Sequence, residues 1–220
     1  MLGYGITRHA QLFTNRQLQT MTTFADLVGE ARERAISDGA DSNYADSIAT
    51  YLTLGIGRLA DRCSSQSSWH TGRENVEGMS RRNSLPIVWV YAEANPFSSS
   101  SGNFLGQIDY LVDALARVPA RGTALVRQLD AAVSADRGPG MVCTDPPYYD
   151  NISYADLSDF FYIWHRRCLN GIYPDLYSTL LVPKAQELVA DRVRQGSWEG
   201  AAEFFETGLR QAFRARGAIK

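Results

Sequence analysis

Asp145, Pro146, Pro147 and Tyr148 stand together between a short apolar run, Met141-Val142-Cys143, and a polar turn, Asp150-Asn151. At proline's average usage of about 5%, Asp-Pro-Pro-Tyr should arise by accident in roughly one chain per thousand of this length. These residue types suit one difficult reaction, the methylation of an exocyclic amine on a nucleobase. The lone pair of such a nitrogen is delocalised into the ring. Two acceptors aimed at its N–H hydrogens would draw the nitrogen toward pyramidal geometry and free the pair. Asp145 supplies one acceptor through its carboxylate. The Pro146 carbonyl supplies another, and its direction is constrained because both proline φ angles are locked and the preceding residue is held extended. Tyr148 offers a face for a base rotated out of its duplex. Such stacking is worth about 1–3 kcal/mol per base.

Other readings of the same residues stay open. A stiff turn closing a strand needs no ligand. "PPYY", Pro146 to Tyr149, also satisfies Pro-Pro-x-Tyr, a ligand that small aromatic-groove domains read as a polyproline helix. Such ligands normally sit in exposed, disordered text, whereas this one lies between an apolar run and an aromatic helix. Phe160, Phe161, Tyr162 and Trp164 could form a stacking platform, but their helical spacing points to core. Asp156 and Asp159 suit the capping of that helix better than a metal. His165 and Cys168 lie three apart with no matching pair of zinc-type spacing, and Cys63 and His70 fare no better. No metal is expected. Arg81-Arg82, Arg166-Arg167 and Arg192/Arg194 are candidates for phosphate contacts, although surface arginines are more often just solvated.

The elements that must position the turn follow from periodicity. Thr14 and Gln17 form a candidate capping box, followed by Leu18, Met21, Phe24, Leu27 and Val28 at helical spacing. A second helix follows "DGADSN", and Cys63 to Arg82 reads as a polar loop. "LPIVWVY" starts β-like and dissolves into turn formers; Leu105 to Val118 is helical. "ALVRQLDA", ending at Asp130, and "GMVCTD" read as strands. From Asp156, Leu157, Phe160, Phe161, Trp164 and Cys168 make the strongest helical stripe, and a last helix runs near Trp198 to Phe213. Helices followed by strand–helix alternation predict an α/β fold: residues 1–80 mainly helical, residues 81–220 an α/β layer. The turn would then sit at a strand's carboxyl end, where open α/β sheets bind ligands.

Composition bounds the rest. The 220 residues suffice for a substantial core. A net charge of -2 gives no global pull toward nucleic acid, so a polyanion partner would need a local basic face. Three widely spaced cysteines make no disulfide framework, which suits a reducing cytoplasm. No signal-like start and no membrane-spanning apolar run are present, so no membrane partner is expected.

"DPPY" after an apolar run resembles the signature of the S-adenosylmethionine-dependent DNA amino-methyltransferases, which modify adenine or cytosine. The longer string "TDPPYYDNISYADLSDFFYIWHRR" resembles a narrower group, the large prokaryotic putative DNA methylases with an adenine-specific methylase-like domain of unknown function. Similarity extends to "LFTNRQLQTMTTFADLVGEARE", "YAEANPFSSSSGNFLG" and "YPDLYSTLLVPKAQELVA", most of the chain. The resemblance implies that Asp145, Pro146, Pro147 and Tyr148 form the catalytic, base-holding loop, that S-adenosylmethionine is the cofactor and that DNA is the partner. It also implies that Asp130 lies near the cofactor's adenine, although Leu129 replaces the small residue usual before it. The family's Phe-x-Gly-x-Gly cofactor turn has no counterpart: "LGIG" at Leu54 to Gly57 lies in a helical pattern, and "GYG" at Gly3 to Gly5 has no strand before it. The expectation is therefore an internal fragment with an incomplete Rossmann-like methyltransferase sheet preceded by a helical region. It would be inactive alone, its missing half encoded upstream or separately.

Overall fold

The computed structural model describes residues 2–80, 84–119, 121–133 and 141–215. Six α-helices and one two-stranded antiparallel sheet make up its regular structure, apart from two short 3-10 turns near the amino terminus. The helices are α1 (Asn15–Ser37), α2 (Ser42–Arg62), α3 (Phe104–Arg117), α4 (Tyr154–Leu169), α5 (Arg192–Gln195) and α6 (Trp198–Ala215). The sheet pairs β1 (Ser68–His70) with β2 (Asn75–Glu77), Trp69 opposite Val76.

The helix starts follow from local chemistry. Thr14 and Gln17 form a capping box at α1: Thr14 Oγ1 accepts from the Gln17 N–H at 3.2 Å, and Gln17 Oε1 accepts from the Thr14 N–H at 2.9 Å. Asp41 caps α2 through the Tyr44 N–H, and Asn103 caps α3 through the Gly106 N–H. Gly39, at φ +98°, takes the left-handed turn that closes α1 and lets α2 fold back as a helical hairpin.

The chain divides into two compact units, Met1–Pro119 with Asp156–Val182, and Ala120–Ala155 with Pro183–Lys220. In the first unit, Met21 and Val28 of α1, Ile56 and Leu59 of α2, and Phe160, Trp164 and Leu169 of α4 share one core. Phe13 stacks on Phe160 at 5.5 Å between ring centroids and meets Trp164 edge-on at 5.3 Å. The aromatic stripe of α4 is thus core material. The second unit has a smaller core of Ala190, Ala201 and Phe205, with Leu188 and Leu209 against it.

Among the described residues the Rossmann-like sheet expected from the sequence is not formed. "LPIVWVY", "ALVRQLDA" and the described part of "GMVCTD" form no strand. A strand exists only through its ladder, and periodicity in one segment names no partner. Without partners these apolar runs face solvent: Trp89 is 86% exposed, Val126 92% and Met141 91%. The fold is mostly helical, not α/β. The one sheet among the described residues lies instead within the expected polar loop, where two three-residue strands are too short to leave a readable alternation. Among the described residues no helix is long and apolar enough to cross a membrane.

Candidate functional site

Asp145, Pro146, Pro147 and Tyr148 lie on an irregular segment of the second unit that leads into α4. Asp145 and Pro146 are exposed, and Pro147 is half-buried. Among the described residues, neither the Asp145 carboxylate nor the Pro146 carbonyl accepts a hydrogen bond. Both acceptors are therefore without a described partner. Next to them the backbone tightens: the Tyr149 N–H donates to the Pro147 carbonyl at 3.2 Å, and the Asn151 N–H to the Tyr148 carbonyl at 2.9 Å. Tyr148 is 52% exposed and its ring has no aromatic partner among the described residues.

Tyr149 behaves differently from its neighbour. Its φ of +38° is a left-handed conformation that costs a bulky residue about 1–3 kcal/mol. Such a conformation persists only where its surroundings impose it. The Tyr149 ring meets Phe205 of α6 edge-on at 5.0 Å, an arrangement worth about 0.5–1.5 kcal/mol beyond area burial. Its carbonyl accepts from the Ala190 N–H at 3.0 Å. Further along, Glu187 Oε1 accepts from the Ala155 N–H in the first turn of α4 at 2.7 Å, while Glu187 Oε2 takes Arg194 Nη1 at 2.6 Å. The segment Glu187 to Ala190 thus holds the chain at Tyr149 and again at Ala155. Glu187, Ala190 and Phe205 are the supports that sequence reasoning did not single out. Glu187 and Ala190 lie in the string "VPKAQELVA", while Phe205 carried no sign beyond its place on an amphipathic helix.

Asp130 makes only local contacts among the described residues. It is exposed, its carboxylate accepts from the Ala132 N–H at 2.8 Å, and no hydrogen bond, ion pair or ring contact among the described residues links it to Asp145–Tyr148. Asp130 follows an unpaired extended run, and no glycine turn joins a strand to a helix among the described residues. These residues do not fit S-adenosylmethionine. A cofactor carboxylate needs close backbone approach at a tight turn and a helix amino terminus to receive it.

Most of the described arginine candidates serve the fold. Arg167 grips Asp26 with two bonds of 2.8 and 2.9 Å, and this contact holds the Asp26 carboxyl below the usual range. Arg166 donates to the Tyr177 carbonyl, Arg194 pairs with Glu187, and Arg192 lies 5.7 Å from the centroid of the Trp198 ring. Arg81 and Arg82 fall outside the described residues. Burial pushes the Cys63 thiol up to about 12 and the Cys168 thiol up to about 11, so neither is a ready nucleophile or ligand.

No protein-family description, curated protein or solved structure matches the chain.

Proposed function

We propose that this chain is the base-holding part of an S-adenosylmethionine-dependent DNA methyltransferase acting on the exocyclic amine of adenine, with cytosine as the alternative base. The observation that carries the reading is the contrast within one turn. Among the described residues Asp145 and the Pro146 carbonyl are unengaged acceptors and Tyr148 has no ring partner, while Tyr149 beside them is tied down in a strained conformation. In this reading the Asp145 carboxylate and the Pro146 carbonyl accept hydrogen bonds from the two amine N–H groups, and Tyr148 stacks on the extruded base. S-adenosylmethionine supplies the methyl group when bound. Because the described residues do not fit it, its site is assigned to a separate segment, and the chain is inactive by itself. The three cysteines are free, which suits a cytoplasmic setting.

The exposure of the loop favours a second reading, in which it presents a Pro-Pro-x-Tyr ligand. Its weakness is the tyrosine such a ligand requires, Tyr149. A φ of +38° breaks a polyproline helix, and the ring is already packed on Phe205. Oligonucleotide binding separates the two. With a fluorescent oligonucleotide carrying one extrahelical adenine, Tyr148→Ala should weaken binding by about 1–3 kcal/mol, and Tyr148→Phe should be mild. Equal binding by all three proteins, together with capture of the loop by a proline-reading domain, contradicts the methyltransferase reading. Calorimetry should show no binding of S-adenosylmethionine to the chain alone; micromolar binding contradicts the separate cofactor site.

A further inference from the structure

A cleft in the first unit, apolar over most of its lining but edged by charged side chains, is independent of that reading. The last turns of α2 supply Leu54, Arg58, Asp61 and Arg62 to one wall, and α4 supplies Phe161 and His165 to the other. Its volume is about 290 Å³, just below the roughly 300–1,000 Å³ typical of small-ligand sites. Arg58 is set by its guanidinium lying 4.5 Å from the centroid of the Tyr110 ring, yet its Nε is buried with no hydrogen-bond partner. An unpaired buried donor is costly and rare in a finished fold. Among the described residues Arg62 reaches Asp61 and Gln107 only, at 3.4 and 3.5 Å, which leaves most of its donors without a described partner. His165, half-buried, has no hydrogen bond among the described residues. Its ring rests against Gly57, where a Cβ would come within 2.7 Å of Nε2.

We infer that this cleft binds the phosphate group of a nucleotide-sized molecule. Arg58 and Arg62, one helical turn apart, present guanidinium donors to the phosphate oxygens, and His165 faces them from α4. Leu54 and Phe161 give the organic part of the ligand an apolar wall. Two features oppose an anion: the carboxyl-terminal dipole of α2, and Asp61. The dipole effect is modest and falls off within the last turn. Asp61 is engaged by the Ser80 N–H at 3.0 Å as well as by Arg62. Counting full charges, Arg58 and Arg62 outweigh Asp61 and leave the cleft positive.

The chain has three histidines, so the ring protons of His165 can be followed in the intact protein by NMR, assigned with His165→Gln. Inorganic phosphate, adenosine monophosphate and a single-stranded oligonucleotide are titrated at constant pH and ionic strength. The His165 resonance should shift saturably with the nucleotide and more weakly with inorganic phosphate, while His9 and His70 stay still. Arg58→Gln should weaken the nucleotide at least tenfold, and Arg62→Gln serves as a second variant if the first melts early. A saturable shift with the oligonucleotide as well assigns the ligand to a nucleic-acid phosphate; a shift with the mononucleotide alone assigns it to a free nucleotide. No saturable His165 shift with either, or full binding in both arginine variants, overturns the site.

Discussion

Replacing Phe160 with alanine tests whether α4 is held by its aromatic stripe. Phe160 is fully buried, stacks on Phe13 at 5.5 Å, and meets Phe161 edge-on at 5.1 Å. Loss of a buried phenylalanine costs about 3–5 kcal/mol, because apolar transfer is lost and the cavity does not fully collapse. Phe161 is one residue away but only half-buried. Its truncation should cost about half as much, about 1.5–2.5 kcal/mol on the same scale. Trp164 is 5% exposed, whereas Trp69, Trp89 and Trp198 are 53% exposed or more. The change in fluorescence on urea unfolding therefore reports chiefly on the core around Trp164. With a slope of about 2 kcal/mol per molar urea, Phe160→Ala should lower the midpoint by about 2 M and Phe161→Ala by about 1 M. Equal shifts for the two, or an unchanged midpoint for Phe160→Ala, would refute this packing.

Other outcomes follow from thiols, titration and the turn. A thiol reagent should modify Cys143 quickly in the folded chain, because it is exposed, and reach buried Cys63 only on unfolding; rapid reaction of Cys63 would contradict its burial. Burial holds His165 below its ordinary value of about 6.5. The unfolded chain therefore takes up that proton first. The His165 contribution is complete above about pH 6.5 and is lost as pH falls toward the folded value. His165→Gln should flatten that part of the stability profile, and an unchanged slope would show the ring to be accessible. Phe205→Ala removes the ring that holds Tyr149, so chymotrypsin should cut after Tyr148 or Tyr149 faster than in the parent; an unchanged rate would mean that the Ala190 bond suffices.

The five longer helices are legible in the sequence because each carries a local signal, whereas the four-residue α5 is too short to show a helical period. Thr14 and Gln17 mark the start of α1, and Leu157, Phe160, Phe161 and Trp164 mark the buried side of α4. The sheet fails for the opposite reason. Val126 and Met141 look like strand residues, but pairing is a property of two segments, and these have no partner among the described residues. The Asp145–Tyr148 turn is legible as a stiff unit because proline restricts the backbone wherever it sits. Its supports are not. Glu187, Ala190 and Phe205 lie more than thirty residues downstream, and nothing local in them announces a contact with Tyr149 or Ala155. The cleft at Arg58 and His165 is hidden in the same way, because its two walls come from separate helices.

The most direct test is radiolabelled methyl transfer from S-adenosylmethionine to DNA, with the chain supplemented by a segment carrying a Gly-x-Gly turn. The wild-type chain should gain activity only with that segment, and the label should lie on the exocyclic amine. Asp145→Ala should abolish transfer with its melting temperature nearly unchanged, because the carboxylate makes no hydrogen bond or ion pair among the described residues. Full transfer by Asp145→Ala would contradict the role assigned to the loop.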